Sequence, residues 1–572
     1  MSSLKRFTIW TLGAEVFQVL FIWFFLPISD SAIYGTNDDA LIASISGGQL
    51  TGTPNGHLVF LNPLISFPLS WLQIFVDQFS VFTLFLTFSA TFSFALLFGL
   101  IIIQNHLNIY YKLILNIFWI LSMTTFISWF AMAPNYTGAS LFLIGVSASF
   151  THMYIAKIQK ISENNSRLYL IVSLTAFFLS TLIRRESFYI FIFFLIIILI
   201  PKTKNFRILV RKLVILLGLG LFLISINLAS EKLIYNTDDW SDYYKTNSLR
   251  HKVQLRSPER MLEDKYSEVG WNRSNLELFY RFILVDENYM NEKNMSKIIE
   301  VTEEKNLNKL VNFFNVSNFV GNTKIAFTAW TWIVMLFTFQ FLIILINKKN
   351  FSSRNEYLFL SFLLTAGVPT LFLLLNIFYQ LPDRISVSIM AASSLIILTL
   401  GLDEVVEKQK SNRIFVTSQL VIVLLVSYLY LERLQTELSA RANLYKGWKL
   451  IGDQQKQSLS NLGSEILVIG SASSLKSEWQ NPYLKFSSLD SRNRTIILGW
   501  HNLSPIWYKN INYYGIDNKD FFLNLMKPNI YWATNADDIS AMKQHLSERM
   551  KRDVVVTDLG SIGYEQYHYF KF

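Results

Sequence analysis

The topology of this chain depends on one apolar stretch, LVFLNPLISFPLSWLQIFV, which covers residues 58–76. If this stretch crossed a membrane, every later loop would lie on the opposite side. It contains Pro63 and Pro68, and proline inside a helix removes a backbone hydrogen bond and kinks or breaks the helix. We therefore predict that residues 58–76 form one or two helices that lie in the outer membrane interface or re-enter it.

The rest of the sequence predicts an α-helical polytopic membrane protein. The 572 residues are 52% hydrophobic and only 16% charged, whereas charged residues make up about 25% of a soluble domain. This composition excludes a soluble multidomain enzyme and a disordered chain. Apolar runs, most of them long enough to cross ~30 Å of hydrocarbon, predict eleven transmembrane helices, at about 7–28, 80–103, 113–131, 137–156, 168–183, 187–200, 213–230, 326–347, 356–377, 385–402 and 414–431.

The basic residues set the orientation of these helices. If residues 58–76 do not cross, seventeen Lys and Arg residues fall in the N-terminal segment and loops of one side, against three in the short loops of the other. The positive-inside rule then places the N-terminus in the cytoplasm. Outside lie a first outer loop, 29–79, a large outer loop, 231–325, and the tail, 432–572. Because the net charge of +10 reflects this bias, it does not indicate binding to nucleic acid.

The tail is predicted to be a small extracytoplasmic α/β domain, residues 432–572, that follows a transmembrane domain, residues 1–431. Its expected strands and helix alternate along the sequence, at Ile466–Gly470, Thr495–Leu498, Asn529–Trp532, Asp537–Met550 (the helix) and Val554–Thr557. The chain has no cysteine, which excludes disulfides and thiol nucleophiles. Glycine-rich phosphate-binding motifs are absent from the sequence, so nothing indicates a nucleotide substrate.

Two adjacent acids in the first outer loop, Asp38 and Asp39, are the candidate catalytic residues. Neighbouring carboxylates repel, so one can hold a proton while the other stays ionised, which suits a general base or a group that orients a hydroxyl. The alternative is a solvated loop whose aspartates cap a helix at 40–46. In the same loop, His57 is either an ordinary hydrogen-bonded histidine or a metal ligand. The sequence has no dense metal-ligand spacing, so we predict no defined metal site.

Arginines at the outer ends of spans are the candidate anion-binding residues. Arg184 and Arg185 interrupt two apolar runs, and Arg384 follows Asp383 near a third. A guanidinium so close to hydrocarbon is costly unless it snorkels or meets an anion, and it binds phosphate through paired hydrogen bonds. The alternatives are interfacial anchors, or ion pairs such as one between Arg184 and Glu186.

These features resemble the GT-C superfamily of integral membrane glycosyltransferases. The resemblance rests on an acidic first outer loop followed by interfacial helices, on about eleven spans and on an outer C-terminal domain. In addition, the segments Asn37–Asp39, Thr51–His57 and Gly270–Asn275 resemble membrane proteins of low-GC Gram-positive bacteria. The resemblance covers nearly the whole chain, and it implies a GT-C-like fold in the bacterial cytoplasmic membrane.

The same resemblance implies an activity. GT-C enzymes take a sugar from a polyprenyl-phosphate carrier on the outer leaflet, so the expected partners are this donor, a cell-envelope glycan, lipid or protein acceptor, and the bilayer. Asp38 or Asp39 would act as the base, and Arg184 and Arg185 would hold the carrier phosphate. The transfer would invert the configuration at the sugar C1. The resemblance identifies no certain cofactor and leaves a divalent metal open, because the oligosaccharyltransferase branch of the superfamily has metal-binding acids. Two other activities remain open: a polysaccharide polymerase, and a flippase or transporter for glycolipids.

Overall fold

A computed structural model of the chain describes residues 3–104, 109–156, 163–199, 206–254 and 413–463, most of 267–301 and of 465–572, and scattered positions between 388 and 399. Long helices form its main body, and a five-stranded sheet lies near the C-terminus. Six of the described helices are long and apolar enough to cross a membrane. They are α1 (Ser3–Phe25), α5 (Val81–Ile102), α6 (Ile109–Met132), α7 (Tyr136–Ala156), α8 (Glu163–Ile183) and α10 (Phe206–Tyr235).

Each of these six helices coincides with a predicted span. The run predicted at 187–200 forms a shorter helix, α9 (Ser187–Leu199), whose 13 residues reach about 20 Å at the α-helical rise. Predicted spans 326–347 and 356–377, and most of 385–402, lie outside the described residues. The number of eleven spans therefore stays a prediction.

The first outer loop folds into three short helices, α2 (Ile28–Ser31), α3 (Asn37–Gly47) and α4 (Pro63–Gln73). Helix α4 occupies the stretch that decided the topology, and its eleven residues are too few to cross a bilayer. Asn62 caps its start by accepting a hydrogen bond from the backbone of Leu64 at 3.0 Å. Its other end is fixed by Gln73, whose side chain bonds the backbone of Val76 and of Phe79.

Segments predicted to share one side of the membrane meet at one end of the helix bundle. Asn62 of the first outer loop donates its backbone N–H to Leu182 at the end of α8 and its side-chain amide to Asn227 of α10. Ser80, which precedes α5, bonds the backbone of Tyr483 in the tail. This arrangement agrees with a first outer loop that does not cross. Which end of the bundle faces the cytoplasm stays a prediction.

The large outer loop and the tail fold together into one unit. The loop supplies α11 (Asp238–Gln254), α12 (Arg273–Tyr280) and α13 (Glu292–Val301), and Trp271 and Phe279 share a hydrophobic core with Trp507 and Trp532 of the tail. The tail begins inside α14 (Arg413–Asn461), which continues across the boundary predicted at residues 431 and 432. We call residues 238–301 and 465–572 the cap.

The sheet of the cap has the strand order β2-β1-β3-β5-β4. Strands β1, β2 and β3 are parallel, whereas β5 is antiparallel to β3 and to β4. The elements in chain order are β1 (Leu467–Ser471), β2 (Thr495–Leu498), α15 (Pro505–Tyr513), α16 (Phe521–Asn524), β3 (Ile530–Thr534), α17 (Ala536–Met550), β4 (Thr557–Tyr564) and β5 (Tyr567–Lys571).

The prediction for the last strand was largely wrong. It placed a strand at Val554–Thr557, but β4 starts at Thr557, because the first pair with β5 joins Thr557 to Lys571. The β4–β5 hairpin was not predicted. The other three predicted strands and the predicted helix are confirmed with shifts of one or two residues at their ends.

Tyr483 joins the cap to the bundle. Its hydroxyl donates to the backbone oxygen of Ala131 at the end of α6 at 2.9 Å, and its ring lies edge-on to Trp23 of α1 with centroids 5.9 Å apart. The backbone oxygen of the preceding Pro482 accepts a hydrogen bond from Tyr34 at 3.3 Å. Tyr483 is only 3% exposed, so it is buried between the cap and the bundle.

Candidate functional site

The two acids of the first outer loop have different surroundings. Both lie in the first turn of α3, which Thr36 caps by accepting the backbone N–H of Asp39 at 3.1 Å. Asp39 is fully buried, and its two carboxylate oxygens accept hydrogen bonds from the Thr36 hydroxyl at 2.6 Å and from the backbone N–H of Tyr136 at 2.9 Å. Asp38 is only partly buried and lines a cavity. The structure therefore places Asp39 inside the fold and Asp38 in the wall of the cavity.

This cavity lies between α3 and the cap and has a volume of about 400 Å³, within the usual range of small-ligand sites. Its walls come from three regions of the sequence, which are α3, the turn after α12, and the edge of the sheet where β1, β2 and β3 end. The lining residues are Asn37, Asp38, Leu41, Tyr280, Arg281, Phe282, Ser471, Leu498, Gly499, Trp500, Asn535, Asp538 and Tyr567.

The turn after β2 is fastened to both neighbouring walls. Asn502 accepts the backbone N–H of Gly499 at 3.0 Å and donates to the backbone oxygen of Phe282 at 2.8 Å. A Cβ atom on Gly499 would lie 2.5 Å from the side chain of Leu41 in α3, so the absence of a side chain permits this close approach. The cavity walls are thus held together by contacts that involve no ligand.

Two further features hold this turn in place. The backbone oxygen of Trp500 accepts hydrogen bonds from the Tyr243 hydroxyl at 2.8 Å and from the guanidinium of Arg250, which is almost fully buried. Phe282 has a φ of 59°, in the left-handed region that costs a bulky residue about 1–3 kcal/mol. The residue after Trp500 is His501, whose pKa is lowered by burial to about 3, so this histidine is neutral at physiological pH.

The predicted phosphate-binding arginines lie at the turn between α8 and α9, each near a carboxylate. The guanidinium of Arg184 donates to the Thr137 hydroxyl, and its Nε lies 3.6 Å from a carboxylate oxygen of Glu186. Arg185 forms an ion pair with Glu231 at 3.2 Å. The ion pair proposed as an alternative for Arg184 therefore exists. Its Glu186 side chain is 58% exposed, so an incoming anion can compete for the guanidinium.

The start of α7 connects the acids to the arginines. The backbone N–H of Tyr136 bonds Asp39, while the guanidinium of Arg184 lies 5.5 Å from the centroid of the Tyr136 ring. Phe60 stacks on Tyr136 and meets the ring of Trp500 in the cavity wall, with centroids 5.9 and 4.8 Å apart. Arg184 does not line the cavity, but only this short series of rings separates the two.

An apolar cavity of about 100 Å³ lies between α8, α9 and α10, the same helices that carry the two arginines and Glu231 at their ends. Its lining is almost entirely hydrophobic, with Gly220 leaving space on α10 beside Phe177. The lining residues are Ser173, Leu174, Phe177, Phe188, Phe191, Ile192, Leu216, Leu217, Gly220 and Leu221.

His57, another predicted site residue, does not line the cavity. The ring of His57 stacks on Trp240 with centroids 4.9 Å apart, and its Nδ1 lies 2.9 Å from the side-chain oxygen of Asn55. Burial lowers the pKa of His57, which fits a packed neutral ring. Arg384 lies outside the described residues. Among the residues that are described, no group of three or more acidic or histidine side chains could hold a metal ion.

Several cavity residues were not predicted from the sequence. Arg281 and Asp538 form an ion pair in the wall, and Trp500 and Tyr567 add aromatic rings. A usable signal was present, because ligands of open α/β sheets bind beyond the carboxyl ends of parallel strands. The residues that follow the predicted strands, such as Trp500 and Asn535, would have been found by that rule.

The structure is similar to that of ArnT. The crystal structure of ArnT from Cupriavidus metallidurans in the apo state is 11% identical in sequence, with 98% of this chain and 97% of that chain covered and a TM-score of 0.42. The crystal structure of the same protein bound to undecaprenyl phosphate gives the same identity and coverage and a TM-score of 0.40. No family model and no curated protein matches the sequence.

Proposed function

We propose that this protein is a membrane glycosyltransferase that moves a sugar from a polyprenyl-phosphate carrier to a hydroxyl group of a cell-envelope acceptor, on the outer face of the membrane. One observation carries the proposal. Two contacts meet at the start of α7. The backbone N–H of Tyr136 donates to Asp39, and the Thr137 hydroxyl accepts a hydrogen bond from Arg184, which lies in the turn between α8 and α9 (the arginine turn). Asp38, the neighbour of Asp39, lines the cavity, which supports a role for an acid and a guanidinium at the same end of the helix bundle.

Asp38 is the proposed base. Its place in the cavity wall gives it access to an acceptor hydroxyl, whereas both oxygens of Asp39 already accept hydrogen bonds within the fold. A general base must come within hydrogen-bond reach of the proton that it removes. Asp39 is a positioning residue in this scheme, because it ties the first turn of α3 to the start of α7.

Arg184 and Arg185 are the proposed ligands of the carrier phosphate. The apolar cavity between α8, α9 and α10 would take part of the polyprenyl chain, since it is lined by hydrocarbon and lies in the helices that carry both arginines. The phosphate would displace Glu186 from Arg184, because guanidinium forms strong paired hydrogen bonds with phosphate oxygens. The carrier would enter from the bilayer, so no nucleotide site is needed.

The chemical step is a displacement at C1 of the donor sugar. The acceptor oxygen forms a bond to C1 while the bond from C1 to the phosphate oxygen breaks. Asp38 receives the hydroxyl proton, and the phosphate leaves on its lipid with additional negative charge. Arg184 and Arg185 would stabilise that charge, and an interaction that strengthens as charge develops lowers the barrier. Attack from the face opposite the phosphate would invert the configuration at C1.

The two acids predict different behaviour for matched variants. In the full-length protein in lipid nanodiscs, with a short-chain polyprenyl-phosphate hexose and cell-envelope acceptors, Asp38→Asn should lower transfer by about 10²–10⁴-fold and leave the unfolding midpoint unchanged. Asp39→Asn should instead lower stability by about 1–3 kcal/mol, because an amide cannot accept both of the present hydrogen bonds. Full transfer by Asp38→Asn would rule out the proposed base.

The arginines are tested with the same assay. Arg184→Ala should lower the rate at saturating donor, and Arg184→Lys should restore only part of it, because an ammonium cannot bind phosphate in the paired geometry. Single-sugar products support the transferase, and progressive chain lengthening would indicate a polymerase. Movement of the intact glycolipid across the bilayer without any transfer would indicate a flippase and overturn the proposal.

A further inference from the structure

The wall that the cap contributes to the large cavity has the form of a ligand crevice. Strand β1 lies between β2 and β3, all three parallel, so the connection from β1 runs to one side and the connection from β2 to β3 crosses to the other side. In open α/β sheets, ligands bind in the crevice outside the carboxyl ends of the strands at such a point. The cavity lies there, because its wall includes Ser471 and Leu498, the last residues of β1 and β2, and Asn535, which follows β3.

The side chains in this crevice suit a saccharide. Asn37 offers an amide, Asn535 offers amide N–H donors while its oxygen caps α17, and Ser471 offers a hydroxyl oxygen. Trp500 and Tyr567 add flat apolar faces with polar edges. Alternating hydroxyl groups and C–H faces of a sugar ring need this combination of hydrogen-bonding groups and aromatic rings.

The charges of the crevice are unsuitable for an anionic ligand. Arg281 is the cation of the lining, and its guanidinium is bound to the carboxylate of Asp538 in the same wall. Asp538 is almost fully buried and also accepts a hydrogen bond from Thr534 at 2.6 Å. With Asp38, the lining holds two carboxylates and one guanidinium. A phosphate or carboxylate here would face a net negative wall, and its charge would be uncompensated.

Two helices begin at the cavity, and their dipoles do not reverse this balance. A helix N-terminus carries about half a positive charge. The first turn of α3 holds Asp38 and Asp39, and the first turn of α17 holds Asp537 and Asp538. Thr36 and Asn535 already cap these helices. Four carboxylates therefore face about one positive charge from the helices and the guanidinium groups of Arg281 and of Arg250, which bonds the backbone of Trp500, so the balance remains negative.

We propose that this crevice binds the acceptor of the transfer reaction, and that the part of the acceptor bound there is an uncharged or amino-bearing saccharide. The inference rests on the proposed function, because Asp38 lies in the same cavity and would receive the proton from a hydroxyl of that saccharide. It divides the substrates by charge. The carrier phosphate lies at the arginine turn, and the acceptor sugar lies at the sheet edge.

The test measures binding without any donor, on the full-length protein in nanodiscs. The probes are neutral trisaccharides of glucose, galactose, mannose and N-acetylglucosamine, a glucosamine trisaccharide, and a glycerol-phosphate trimer, followed by saturation-transfer NMR and calorimetry. Tyr567→Ala and Asn37→Ala remove two lining groups from different walls. Tyr513→Ala is the matched control, since Tyr513 lies in the same cap, is 73% exposed and does not line the cavity. Unfolding midpoints establish that each variant is folded.

At least one neutral or amino trisaccharide should bind, and both cavity variants should weaken that binding tenfold or more, with Tyr513→Ala unchanged. Tighter binding of the glycerol-phosphate trimer, or binding of none of the saccharides, would overturn the inference. Transfer to a phosphate polymer without saccharide binding would do the same and leave the transferase intact. Saccharide binding without transfer to any acceptor would overturn the proposed function and leave the crevice as a saccharide site.

Discussion

The contacts of Tyr483 with Ala131 and Trp23 help to hold the cap against the helix bundle. Tyr483→Ala removes a buried aromatic ring together with its hydrogen bond to Ala131, and truncation of a buried aromatic residue costs about 3–5 kcal/mol. Tyr483→Phe removes only the hydroxyl, which costs about 1 kcal/mol. These contacts join the cap to the bundle and not the strands to one another. The lost free energy should therefore appear as opening between the cap and the bundle, and not as unfolding of the sheet.

Hydrogen exchange in nanodiscs measures that opening. The backbone N–H of Ser80 donates to the backbone oxygen of Tyr483 at 3.0 Å. The exchange rate of this N–H therefore reports on the contact between the cap and the bundle. At 1.36 kcal/mol per factor of ten, Tyr483→Ala should accelerate exchange by about 10²- to 10⁴-fold and Tyr483→Phe by about fivefold. The control Tyr513→Ala, an exposed tyrosine of the same cap, should change it less than about threefold. Equal exchange rates of the Ser80 N–H in Tyr483→Ala and Tyr513→Ala would refute the conclusion that Tyr483 holds the cap to the bundle.

Three other perturbations test the packing around the site. Burial holds the pKa of His545 at about 4 against about 6.5 when unfolded, so the contribution of His545 to stability is complete above pH 6.5 and falls by about 3 kcal/mol as the pH drops toward 4. Unfolding midpoints against pH should show this slope, and His545→Gln should reduce it by that amount and leave the part that comes from His501, whose pKa burial also lowers. Asp286→Asn leaves the guanidinium of Arg549 without its buried partner and should cost about 3–5 kcal/mol, partly recovered by adding Arg549→Gln; no loss in the single variant would contradict a buried pair. Gly56→Ala places a Cβ 2.7 Å from a phenylalanine ring of α4 and should lower the unfolding free energy by about 1–3 kcal/mol, whereas Gly218→Ala, where a Cβ meets nothing within 4 Å, should be neutral or stabilising.

The sequence predicted the elements of this structure better than their contacts. Hydrophobic runs located the six described spans because each reflects a local property, the length of chain that hydrocarbon can surround. The prolines and the charge bias predicted that residues 58–76 do not cross, and the helix in that stretch has only eleven residues. The joint core of the large outer loop and the tail was not predicted, because the pairing of Trp271 with Trp507 and Trp532 depends on distant parts of the chain.

The candidate site was also predicted only in part, because contacts between distant parts of the chain cannot be inferred from local sequence. Asp38, Asp39, Arg184 and Arg185 were found by their chemistry and their positions next to spans. The different surroundings of the two acids could not be inferred, because they depend on Tyr136, which lies almost a hundred residues further along the chain. His57 has the composition of a site residue, yet its ring is packed against Trp240, a contact between two loops that no local pattern encodes.

The large cavity takes one wall from α3, near the start of the sequence, and another from Tyr567 in β5. A ribosome adds about 5–20 residues per second, so roughly half a minute to two minutes separate the synthesis of these walls. During that interval the first acids and the arginine turn exist without an enclosed pocket. The cavity is therefore complete only after β5 has been synthesised, so any activity that needs both walls can begin only in the finished fold.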